Sequence, residues 1–124
     1  MAVEHVRIKP GVKISPRHFS VYPVAHIVAV VAEIWPSESS DGAVVITRGF
    51  EDCPGSKVQS RHKPPFFAAF DFRTRNLAPE IDRRHILRLI QRALGPEYYA
   101  YYKRYVDAAD QVVEWIHVQW NGRP

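Results

Sequence analysis

Tyr98-Tyr99-Ala100-Tyr101-Tyr102-Lys103-Arg104-Tyr105-Val106 and, across Asp107-Ala108-Ala109-Asp110, Val112-Val113-Glu114-Trp115-Ile116-His117-Val118-Gln119-Trp120 decide the fold. The first run fits either a strand or a helix by spacing. Its aromatic richness favours a strand, because aromatic side chains suit a pleated, half-buried surface. The second run alternates well enough to be a strand, so the two are predicted to form a hairpin. A sheet is therefore the base of the domain.

Working upstream, Gly95-Pro96 ends a predicted helix whose N-cap is expected at Asn76, with Pro79 in its first turn. Ile81, Ile86, Leu89, Ile90 and Ala93 give that helix an apolar face. Arg84, Arg88 and Arg92 form a stripe at spacings of four, read as a solvated face. Phe66 to Arg73 has strand composition. The stretch from Arg48 to Pro65, punctuated by Gly49, Pro54, Gly55, Pro64 and Pro65, is expected to be a long loop of functional kind. Ala43-Val44-Val45-Ile46-Thr47 is short and β-branched, a buried strand. Ser20 to Trp35 places Val24, Ile27, Val28, Val31 and Ile34 at spacings of three and four, an amphipathic helix capped by Ser20 and stopped by Pro36. The arm Ile8-Lys9-Pro10-Gly11-Val12-Lys13 is expected to be irregular. This order predicts one α+β domain over residues 1–124, a mostly antiparallel sheet with helices packed on one face.

A chain of 124 residues with 46% hydrophobic content suffices for one core and not for two. No run of about 18 apolar residues exists, so no membrane contact is expected. Met1-Ala2-Val3-Glu4-His5-Val6-Arg7 lacks the pattern of a secretory signal, which predicts cytoplasmic synthesis, with any export by another route. The single Cys53 excludes an intramolecular disulfide and a thiolate zinc cluster. The net charge of +4 permits contact with anionic polymers, yet no nucleic-acid-binding motif accompanies it.

The chemistry sits in Ser60-Arg61-His62, Ala69-Phe70-Asp71 and Glu114-Trp115-Ile116-His117. Two imidazoles and a carboxylate are the ligand set of a catalytic zinc, which leaves one position open for water and needs a nearby base. His62 lies at a loop edge, Asp71 and His117 on strands, and strand-borne ligands are readily held in register. Glu114, three residues before His117, is the candidate base. Residues three apart on a regular strand face opposite ways, so this role requires a turn or bulge at Trp115-Ile116. His26 and His85 fall inside helices and are read as helix residues rather than ligands.

Those segments, together with Val45-Ile46-Thr47, Phe72-Arg73-Thr74-Arg75-Asn76-Leu77, Leu94-Gly95 and Val118-Gln119-Trp120, resemble the zinc D-Ala-D-Ala carboxypeptidase family. That family includes vancomycin-resistance D,D-peptidases and the L-alanyl-D-glutamate peptidases of phage endolysins. The resemblance spans roughly Val21 to Trp120 and implies a Hedgehog-type α+β fold. It implies Zn2+ on His62, Asp71 and His117, Glu114 as catalytic base and Ser60 as a substrate contact. Where the family carries a substrate-aiding arginine this chain has Glu51, and Arg48 would take that role. Eight residues separate His62 from Asp71, against the family's six. The expected activity is hydrolysis of a peptidoglycan stem-peptide bond, by a monomer acting on the wall after release or within a phage particle. The alternative is a non-catalytic virion or wall-binding protein that keeps the fold with an impaired metal site.

Overall fold

In the computed structural model, which describes residues 6–12, 22–35, 44–49 and 69–121, the chain runs β1 (Val6–Ile8), α1 (Tyr22–Ile34), β2 (Val44–Arg48), β3 (Ala69–Arg73), α2 (Arg83–Leu94), β4 (Tyr98–Val106) and β5 (Val112–Trp120). The hairpin forms as expected, with β4 and β5 antiparallel in unbroken register from Tyr98↔Trp120 to Val106↔Val112. Its turn is held by the Asp107 carboxylate, which accepts the N–H groups of Ala109 and Gln111, both at 2.9 Å. Asp110 completes it at φ +60°, a left-handed position that Asp tolerates better than most residues.

One five-stranded mixed sheet results, in the order β1-β2-β3-β5-β4. Three of its pairings are antiparallel; β1 and β2 are parallel, with α1 lying between them in sequence. The arm expected to be irregular thus begins with a strand. Three residues ahead of Pro10 are too few for a periodic signal, and their pairing with Val44, Val45 and Ile46 is what makes them a strand. A bulge between Ile46 and Arg48 shifts the register of β2 on β3.

The even-numbered positions of the sheet build the core. Val44, Ile46, Phe70, Phe72, Ile116 and Val118 join Ile27, Val28, Val31 and Trp35 of the α1 region and Ile86, Ile90 and Leu94 of α2 in one buried cluster. Both helices therefore cover the same face. α2 starts later than expected: its N-cap is Asp82, whose Oδ1 accepts from the backbone of Arg84 and His85, and not Asn76. The buried row is Ile86, Ile90 and Leu94, at spacings of four, while Ala93 is exposed. Arg84, Arg88 and Arg92 face solvent as read from sequence. Ser20, Pro36, Cys53 and positions 66–68 of the expected third strand lie outside the described residues. No helix among the described residues is long and apolar enough to cross a membrane.

Candidate functional site

The odd-numbered face of the sheet carries the candidate chemistry. Asp71 on β3 and His117 on β5 are direct cross-strand partners, so their side chains leave the sheet side by side. Asp71 Oδ1 and His117 Nδ1 lie 2.7 Å apart, and both residues are buried, at 5% exposure. The next cross-strand position, Tyr101 on β4, stacks on the imidazole with centroids 4.6 Å apart and planes 16° from parallel. On the other side, the Thr47 hydroxyl of β2 donates to the Asp71 carbonyl at 3.4 Å. His117 Nε2 meets Gln119 Oε1 at 2.7 Å, and Gln119 Nε2 donates to Asn121 Oδ1 at 2.6 Å. Gln119 sits two residues along the same strand, and so shares the face with the ring it contacts.

This pair fits a zinc ion in the type of its donors and not yet in their number. Imidazole and carboxylate are zinc ligands, and a carboxylate on one ring nitrogen fixes the tautomer that leaves the other for a metal. For His117 Nε2 to present a lone pair, the Gln119 amide must turn its carbonyl away. The third expected ligand, His62, and the expected substrate contact, Ser60, lie outside the described residues. Among the described residues no group of three or more His, Cys, Asp or Glu gathers. Arg48 ends β2 as the backbone register partner of Asp71.

Glu114 is not part of this constellation, which corrects the expectation that it serves as base. β5 keeps its register against β3 from Trp115 to Gln119 and against β4 along its whole length, so the bend needed at Trp115-Ile116 is absent. Parity then puts Glu114 with Ile116 and Val118 on the helix-covered face, where it is 8% exposed. Its Oε1 accepts from Arg83 Nε at 3.1 Å and its Oε2 from the Tyr102 hydroxyl at 2.6 Å. Arg104 Nε stands 3.9 Å from Oε2. Arg83 uses its remaining N–H groups on the carbonyls of Ala78, Ile81, Thr74 and Leu77, at 2.6 to 3.2 Å. One guanidinium thereby ties the turns ahead of α2 to β5. Burial first, and the hydrogen bond to the Glu114 carboxylate second, push the Tyr102 hydroxyl up to about 12.

Sequence reasoning passed over Arg83 and Tyr101, although hairpin register alone puts Tyr101 opposite His117. The parity of Glu114 with Ile116 and Val118 was equally readable. Arg83 gave no such signal, since its acceptors are backbone carbonyls. Comparison of this chain with protein-family models, with curated proteins and with solved structures finds no match.

Proposed function

We propose that this domain is a zinc-dependent hydrolase of peptidoglycan stem peptides, of the D-Ala-D-Ala carboxypeptidase or L-alanyl-D-glutamate peptidase type. The observation that carries the reading is the buried Asp71–His117 pair, set side by side by adjacent central strands and 2.7 Å apart. Asp71, His117 and, from the resemblance, His62 would hold the metal. Zinc bound there would supply Lewis-acid polarisation of a carbonyl and a water of lowered pKa. The protein's own part is to fix the ligands: Tyr101 stacks on the imidazole plane and Thr47 anchors the Asp71 backbone. Glu114, held by Arg83 and Tyr102 on the other face, takes no proton at this site.

That last point favours a second reading, a wall-binding protein with the fold and metal site but no hydrolysis. Metal content and product analysis separate the two. About one zinc per chain, lost in His117→Ala, with chelator-sensitive release of new amines from purified muropeptides, supports the hydrolase. Zinc binding without amine release supports the wall-binding form, and absence of zinc overturns both. Mass analysis of products from a defined muropeptide identifies the bond cut.

A further inference from the structure

We infer that the open face of the sheet carries an oxyanion pocket, formed by Lys9, Thr47, Arg73, Arg75 and Trp115, that receives a carboxylate of an acidic peptide lying across the Asp71–His117 pair. A cavity of about 190 Å³ lies among these residues. Adjacent strands assemble it. The Lys9 N–H donates to the Ile46 carbonyl at 2.9 Å, holding the lysine against β2 next to Thr47. Arg73 and Trp115 are cross-strand partners, as Asp71 and His117 are, two residues further along β3 and β5.

The charges are unequal. Three cationic side chains border the cavity with one carboxylate, Glu114, whose two oxygens already accept from Arg83 and Tyr102. Guanidinium groups are suited to carboxylates, which they grip by two parallel hydrogen bonds. Trp115 adds an independent observation. Its indole N–H is buried without a hydrogen-bond partner among the described residues, a costly condition that an acceptor in the cavity would relieve.

Size and position choose the ligand. The cavity is smaller than the several-hundred-Å³ clefts that hold drug-sized molecules, and suits an acid group with a few attached carbons. Two strand residues span about 7 Å, which is also the reach of two extended peptide residues. A peptide whose bond lies at the Asp71–His117 pair thus sets an acidic group two residues away in the pocket. The choice of a peptide rests on the hydrolase reading; the anion pocket does not.

The test is calorimetric binding of a stem tetrapeptide and of the same peptide with its carboxylates amidated, to the full chain and to R73Q and R75Q. Inorganic phosphate serves as competitor, and circular dichroism checks the fold. The acid peptide is expected to bind wild type about tenfold more tightly than the amide, a preference that both variants lose. Equal binding of acid and amide by wild type, or an undiminished preference in R73Q and R75Q, overturns the pocket. Displacement of the peptide by phosphate at lower concentration than by acetate overturns the carboxylate assignment. Zinc content and amine release are read separately. A retained acid preference without hydrolysis fails only the hydrolase, and hydrolysis without acid preference fails only the pocket.

Discussion

Glu114 shows how one carboxylate is committed by its surroundings. With 7% of its side chain exposed and both oxygens hydrogen-bonded, it balances the charge of Arg83, itself 15% exposed. Removing one partner of such a pair leaves the other buried and unpaired. Glu114→Ala is therefore expected to lower unfolding free energy by about 3 kcal/mol in urea denaturation, with Glu114→Gln milder because the amide carbonyl can still accept from Arg83. A loss near zero would return Glu114 to candidacy as a base. Tyr102 reports on the same contact. Its hydroxyl titrates at about 12 in the folded protein against 10.0 in an unperturbed tyrosine. Below pH 10 the phenol is protonated in both folded and unfolded chains, and its contribution to stability is intact. Between pH 10 and about 12 the unfolded chain loses the proton first, so stability falls as pH rises. Ultraviolet titration should show a late tyrosinate component that Tyr102→Phe removes and Glu114→Gln moves toward lower pH. The residue types of the metal pair were readable in sequence, and their contact followed once β3 and β5 were known to be neighbours. The fate of Glu114 turned on whether a strand bends, which residue type does not encode.

At the scale of elements, α2 is fastened at both ends. Asp82 caps its first turn, and Asp82→Ala is expected to cost about 1 kcal/mol. Near the other end the Gln91 side chain donates to the carbonyls of Gly95 and Tyr98 and accepts the N–H of Ala100. The last turn of the helix is thus clamped to the start of β4. Gln91→Met keeps the bulk and strands those backbone groups, so it should cost about 2 kcal/mol by urea denaturation. If Gln91→Met loses no more than an exposed substitution such as Arg92→Ala, the clamp is not contributing. These fastenings explain which boundaries were readable. The hairpin was exact because two dense β-forming runs flank a polar turn. The start of α2 was misplaced because Asn76 and Pro79 imitate a cap and first turn, while residues 74–82 are held as turns by the Arg83 guanidinium. β1 was missed because its pairing is wholly non-local, with β2 more than thirty residues away.

The whole molecule divides its two sheet faces between stability and chemistry. Even positions are sealed beneath both helices, and odd positions carry Asp71, His117, Tyr101 and the cationic pocket. β3 and β5 are each paired on both sides, so the candidate ligands stand on the least mobile part of the sheet rather than at an edge. A ligand that binds only the folded arrangement must then stabilise the entire domain, since Asp71 and His117 lie 46 residues apart and come together only on folding. Zinc at a hundred times its dissociation constant is expected to add about 2.7 kcal/mol. For a chain of this length that raises Tm by roughly 10 °C. The comparison is made within each variant, with zinc and with chelator, so that any intrinsic loss of stability cancels. His117→Ala and Asp71→Ala should lose most of the increment. Glu114→Gln should keep it, although its starting Tm is lower, because its carboxylate lies on the other side of the sheet. A zinc-dependent rise that survives His117→Ala would place the metal elsewhere on the chain, and one that Glu114→Gln abolishes would mean that β5 bends after all.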